Sequence, residues 1–275
     1  MTSNGLRNSG NLTSETVRFD SDYAVRATGV SKSFVRSEVP FIALSRVNMH
    51  LRVGEFVSLV GPSGCGKSTM LRIIGGLLRA TTGEVSVSGQ PVRKPRRDVG
   101  IMFQEPTLFP WRTVLENALL PIEIQRKPSA DDTERARELL SLVGLDQFMD
   151  HYPRELSGGM QQRVALSRVL MVQPRLMLLD EPFGALDEFT REGLNQELAE
   201  LTTRAQVSVI LVTHSIPEAV FLGDRVIAMG THPGRILGEI PVPLARPRPL
   251  SLLRTPELQV IVSRVREVLG IDGHK

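Results

Sequence analysis

The chain has 275 residues, with 33 Lys or Arg, 30 Asp or Glu and a formal net charge of +3. At 41% hydrophobic and 23% charged it has a globular composition, which excludes collagen-like, disordered and membrane-embedded classes. Its single cysteine, Cys65, excludes a disulfide framework and a cysteine-only zinc site and fits a reducing interior, while a pI near 9.3 is too mildly basic to indicate a nucleic-acid partner.

Residues 1–22 are polar, punctuated by Gly5 and Gly10, and carry no apolar run of the kind a secretory signal has, so they read as a disordered tail. Residues 23–240 have the composition of a folded domain. Within them Phe56–Val60, Val99–Phe103, Leu176–Leu179 and Val207–Val212 are strand-length, nearly continuous apolar runs. Such runs suit strands buried on both faces of a parallel sheet. Between them Ala136, Leu139, Leu140 and Val143 have helical spacing, as do Leu194, Leu198 and Leu201 and, less strictly, Leu186 and Phe189. Strands alternating with amphipathic helices predict an α/β fold. The stretch from about 105 to 162 shows little strand pattern and is expected to be helical. Pro241, Pro243, Pro247 and Pro249, mixed with Arg246 and Arg248, read as an extended linker, and Pro256–Leu269 as a final amphipathic helix. Residues 241–275 thus form a Pro/Arg-rich linker and a C-terminal helix.

The first predicted strand runs directly into Gly61, Pro62, Ser63, Gly64, Cys65, Gly66, Lys67, Ser68 and Thr69. This is the Gly-x-x-x-x-Gly-Lys-Ser pattern of a P-loop in its strand-to-helix context. Glycines let the loop turn backbone N–H groups inward, and the helix that starts near Lys67 adds its positive dipole end. Lys67 supplies a full charge to the outer phosphates, and Ser68 is a ligand for Mg²⁺. Cys65 sits in the loop, so thiol reagents are expected to compete with nucleotide. Two acids, Asp180 and Glu181, follow the Leu176 run. Asp180 matches the acid that orients Mg²⁺ beside Ser68, and Glu181 the base that activates water. Gln104 and Thr213-His214 follow two other runs, and in a parallel sheet all these strand ends converge on one ligand site.

A second glycine turn, Leu156-Ser157-Gly158-Gly159-Met160-Gln161-Gln162-Arg163, precedes the Asp180 strand, with Ser157 as the N-cap of a helix. This octet resembles the signature of ATP-binding cassette (ABC) ATPases, and the order of the other motifs is similar to that family from about Tyr23 to Gly238. The resemblance implies an α/β P-loop ABC ATPase with a mainly parallel core sheet, an antiparallel β subdomain and a helical subdomain. It makes Gln104 the Q-loop residue, both catalytic and a metal ligand, and His214 the catalytic switch histidine. Asp187 becomes the D-loop residue. Phe34 becomes the aromatic that stacks on adenine, a core phenylalanine being the alternative. The resemblance further implies ATP and Mg²⁺, with Ser68, Gln104 and Asp180 on the metal. In that family two copies pair head to tail, so the resemblance also implies that Ser157, Gly158 and Gly159 of one copy close over ATP held by Lys67 of the other.

Leu108-Phe109-Pro110-Trp111-Arg112 exposes bulky groups just after Gln104, where ABC importers receive the coupling helix of the permease. The run Pro110–Asn117, with Phe183–Asp187 and Pro233–Ile236, looks like the nitrate/sulfonate/taurine importer group, which also handles bicarbonate-type anions and vitamin precursors. The expected partners are a second copy, two transmembrane permease subunits and, indirectly, a substrate-binding protein, with no nucleic acid. The expected place is the cytoplasmic face of the bacterial inner membrane, as a peripheral protein. The rival reading is a non-transport ABC ATPase acting on DNA or ribosomes. It is disfavoured because the segment between Thr69 and Leu156 holds no extended heptads.

Overall fold

A computed structural model describes residues 22–271 other than 37, 38 and 185; the expected tail, 1–22, lies outside the described residues apart from Asp22. In chain order the elements begin with strands β1 (Tyr23–Arg36), β2 (Val39–Arg52) and β3 (Phe56–Val60) and helix α1 (Lys67–Ile74). Strands β4 (Thr82–Val87), β5 (Gln90–Pro91) and β6 (Val99–Met102) precede three helices, α2 (Val114–Glu123), α3 (Ala130–Leu142) and α4 (Gly158–Met171). Then follow β7 (Leu176–Asp180), α5 (Glu188–Ala205), β8 (Ser208–Thr213), α6 (Ile216–Leu222), β9 (Arg225–Gly230), β10 (Arg235–Pro241) and α7 (Pro256–Leu269).

Two sheets result. One is antiparallel, in the order β2-β1-β4-β5; the other runs β10-β9-β3-β8-β7-β6 and is parallel except for β10. The parallel strands are apolar on both faces because each face is covered. Leu176, Leu178, Ile210, Val212, Val57 and Leu59 pack with Met70, Leu71 and Ile74 of α1 and with Val25, Val30 and Leu51 of the antiparallel sheet. The alternate residues Met177, Leu179, Val209 and Leu211 pack against α2 to α5 through Ala118, Leu140, Val164, Leu166, Leu194 and Leu198. Helix α1 therefore lies between the two sheets, and its first turn emerges where the parallel strands end. The register aligns those ends: Asp180 pairs with Val212, Thr213 with Val60, and Met102 with Leu179.

Between 103 and 175 the chain holds no strand, and Thr113 and Ser129 start α2 and α3 with capping boxes closed by Glu116 and Asp132. Phe189 is a correction to the apolar-face reading of α5. It is 90% exposed, because the buried stripe begins at Leu194 and Phe189 lies in the first turn, off that stripe. The extended linker expected from Pro241 to Pro249 is also corrected. Pro241 closes β10, and the segment beyond it is locked onto the domain. The Arg248 side chain is 2% exposed and donates to the carbonyls of Val220 (3.0 Å), Phe221 (2.7 Å), Gly223 (2.9 Å) and Leu244 (2.5 Å). It thereby satisfies carbonyls that the end of α6 leaves open. Helix α7 then buries Leu258, Val262 and Val265 against Val226, Ala228 and Ile240.

Candidate functional site

Gly66 is the N-cap of α1 at φ 92°, and no side chain caps that helix, whereas α2 to α6 all have side-chain caps. The first-turn N–H groups of α1 are thus left for an external acceptor. Close approach accounts for two of the loop glycines. A Cβ on Gly66 would meet Leu44 Cδ2 at 2.4 Å, and one on Gly61 the Met229 carbonyl oxygen at 2.2 Å. Lys67 is 5% exposed, and its ammonium donates to the Gly61 (2.7 Å) and Pro62 (3.1 Å) carbonyls. Pro62, Ser63 and Gly64 face solvent. Cys65 does not: it is fully buried, with Sγ 3.7 Å from Lys67 Nζ. Its sulfur is shielded from solvent although the residue borders the cleft, so the expected competition between thiol reagents and nucleotide requires the loop to open first.

The cleft itself has a volume of about 340 Å³ and is lined by Phe34, Phe41, Ala43, Ser63 to Thr69 and Glu181. Ser68 Oγ donates to Asp180 Oδ1 at 2.7 Å, which brings two oxygen donors together at the amino end of α1. Burial pushes the Asp180 carboxyl above its ordinary range, and the Ser68 bond pulls the other way. A buried carboxylate next to a hydroxyl, facing an uncapped helix end, is a donor set that fits a hard divalent cation shared with phosphate oxygens. Glu181 follows at φ 48°, a strained setting for a non-glycine residue of the kind that clusters at active sites. Its Oε2 lies 3.3 Å from His214 Nδ1, and Gly184 lies alongside both side chains.

Phe34 is 39% exposed and faces the cleft. It pairs in register with Phe41 on β2, and Lys32 Nζ sits 5.0 Å from its ring centroid. The core-phenylalanine alternative is thereby set aside. Gln104 is exposed, and its backbone carbonyl accepts from Gln162 Nε2 of α4 at 2.8 Å. Gln104, Asp180 and His214 are not among the residues that line the cleft, and the signature and D-loop residues lie apart from it. Ser157 caps α4 through the Met160 N–H (3.3 Å), and Ser157 and Gly158 face solvent. Gly159 packs against Thr190, beside the start of α5, where Asp187 is the N-cap. The Thr190 N–H bond holds the Asp187 carboxyl below its ordinary range. None of these four lines the cleft. The signature and the D-loop residue therefore form a second, outward-facing cluster.

A third feature is the surface after Gln104. Trp111 is 70% exposed and stacks on Phe109 with ring centroids 5.0 Å apart. Asn117, fully buried, shapes this loop. It accepts from the Phe109 N–H (2.8 Å) and donates to the carbonyls of Phe109 (3.1 Å), Arg112 (3.1 Å) and Thr113 (3.0 Å). Sequence reasoning did not assign roles to Phe41, Asn117 or Gln162. The only available signal for Phe41 was an aromatic on a predicted strand near Phe34; the other two are known only from tertiary contacts.

The architecture is that of a P-loop nucleotide-hydrolysing cassette. A family model described as "ABC transporter" matches residues 44–184, and the chain belongs to that family. Its relatives include a nitrate import ATP-binding protein of Synechocystis sp. (44% identical over 217 residues, 79% of this chain and 82% of the relative). Another is an aliphatic sulfonates import ATP-binding protein of Bacillus cereus (43% identical over 224 residues, 82% and 88%). A dimeric ATP-binding cassette, solved in a post-hydrolysis state bound to ADP and Pi, is similar in structure. Its TM-score is 0.73 at 37% identity, covering 80% of this chain and all of that one. The chain is an ABC ATPase that binds and hydrolyses ATP. No described helix is long and apolar enough to cross a membrane.

Proposed function

We propose that the chain is the ATP-hydrolysing subunit of a bacterial importer for a small anion or organic compound of the nitrate/sulfonate/taurine type. It works as a head-to-tail homodimer at the cytoplasmic face of the inner membrane, beneath two permease subunits served by a substrate-binding protein. One observation carries this reading: the triphosphate cleft and the Ser157-capped helix end are separate in one chain, so only a second copy brings them onto one nucleotide. The nitrate and sulfonate import relatives support the importer assignment.

In this reading the adenine stacks on Phe34 and Phe41, the loop N–H groups and Lys67 bind the phosphates, and Glu181 takes a proton from the attacking water while His214 steadies it. Ser68, Asp180 and Gln104 would hold Mg²⁺, which would supply charge neutralisation for the phosphates. Ser157, Gly158 and Gly159 of the partner copy complete the anion site, and Asp187 lies at the same seam. Loss of the terminal phosphate removes the anion that both helix ends bind, so the pair opens. Trp111 and Phe109 offer a preformed aromatic surface to the permease.

The test is Glu181→Gln. It is expected to bind MgATP, to lose turnover by about a hundredfold or more, and to accumulate as a closed dimer in light scattering. Wild-type turnover, or a monomer under saturating MgATP, contradicts the proposal.

A further inference from the structure

The His214 imidazole is 54% exposed, so packing does not hold it; the turn between β8 and α6 must. Three hydrogen bonds close that turn. The Ser215 N–H donates to Thr213 Oγ (3.0 Å), the Glu218 N–H donates to Ser215 Oγ (3.4 Å), and the Thr213 hydroxyl donates to Glu218 Oε2. The Thr213 hydroxyl thus accepts from the Ser215 N–H while it donates its own proton to the carboxyl group.

Glu218 is 7% exposed, and its other oxygen, Oε1, has no hydrogen-bond partner among the described residues. Facing it from α5 are the buried Asn195 and, farther off, Arg191, whose guanidinium is engaged by the carbonyls of Phe183 and Leu186. Burial pushes the Glu218 carboxyl upward, opposed by its bond to Thr213 and by the Asn195 side chain. An acid buried in a core costs stability that an apolar side chain of similar size does not. Its one short bond goes to the residue directly before His214.

We propose that Glu218 is a positioning residue for ATP hydrolysis, acting through Thr213 Oγ to fix the turn that presents His214 to Glu181. The proposal rests on the role given to His214 above, and it assigns Glu218 no contact with nucleotide.

The experiment compares steady-state ATPase of Glu218→Ala, Glu218→Gln, Thr213→Val, His214→Ala and the Glu218→Ala/His214→Ala double variant. Glu218→Ala and Thr213→Val are each expected to lower kcat by about tenfold with KM for ATP changed by less than about twofold. Glu218→Gln keeps an oxygen that accepts the Thr213 proton and is expected to retain roughly half of wild-type kcat or more. In the double variant the Glu218 change is expected to add less than about twofold to the His214 loss, because both act through one group. If His214→Ala alone leaves kcat unchanged, the reading of His214 and this proposal fall together. If His214→Ala is slow but Thr213→Val is not, if Glu218→Gln is as slow as Glu218→Ala, or if the two losses multiply, only the role of Glu218 is overturned. Thr213→Val replaces a hydroxyl by a methyl group of similar size, so it decides the matter even if Glu218→Ala fails to fold.

Discussion

Replacing Phe34 by Ala tests whether the two rings at the cleft hold the base. Phe34 leaves 39% of its surface exposed, which for a ring-bearing side chain amounts to about 80 Å². Covering all of that area is worth about 2 kcal/mol at ~25 cal/mol per Å². A base lying on one face covers about half, so the loss is about 1 kcal/mol, or roughly fivefold in Kd, at the low end of base–aromatic stacking energies. Phe41 is 53% exposed and flanks the same cleft, so Phe41→Ala should cost a similar amount. The assay is isothermal titration with MgATP and, separately, with magnesium tripolyphosphate, which has no base. Both variants should weaken ATP and leave tripolyphosphate unchanged. Equal weakening of both ligands, or no change in ATP affinity, refutes the reasoning.

Four further outcomes follow from the geometry. Burial raises the Asp180 carboxyl, so its protonated form is favoured in the fold; the resulting stability is full below the unfolded value and is lost as pH rises through the folded one. Asp180→Asn should therefore melt higher than wild type at pH 7 and lose that advantage as the pH is lowered toward 4 in thermal scans, while ATP turnover disappears. Cys65, at 0% exposure, should react with iodoacetamide about a hundredfold or more slowly in native protein than in urea, with or without MgATP; fast native labelling blocked by nucleotide would restore the original expectation. Trp111→Ala should weaken co-purification with the permease yet leave ATP affinity intact, since the ring is exposed and absent from the nucleotide cleft. Arg248→Met leaves buried α6 carbonyls unpaired while sparing the desolvation of a cation, a net cost of about 2–4 kcal/mol and roughly 5–15 °C in Tm.

Four of the five parallel strands were legible because each is apolar on both faces and leads into a polar group, so Lys67, Asp180, Glu181, Gln104 and His214 could be placed at one edge; β9, which ends in Gly230, carried no such mark. The signature turn was equally plain, since Ser157 begins a helix whose apolar stripe follows at once. The antiparallel sheet came only from family resemblance. Register shifts between Ala27 and Val30 and between Lys32 and Ser33 break the alternation along β1, and the Phe34–Phe41 pairing is a fact of register rather than of spacing. Side-chain direction inside the loop was equally hidden. Cys65 reads as a loop residue, but the path from Gly61 to Gly66 turns its sulfur inward. Composition misled at 241–249, where prolines and arginines suggested a spacer, because the carbonyls that bury Arg248 belong to α6, more than twenty residues away in sequence. Glu218 carried no mark in the sequence, and only the packing of α5 against α6 takes it out of water.

The central claim is a site shared between two copies, and mixing two inactive variants tests it most directly. Lys67→Ala spoils the phosphate loop and keeps the signature; Ser157→Arg does the reverse. Each alone should be inactive. In an equal mixture allowed to exchange subunits, half of the dimers are mixed and hold one intact site of two, so about a quarter of wild-type ATPase activity should return. A mixture that stays silent while mixed dimers form would show that Lys67 and Ser157 serve the same chain.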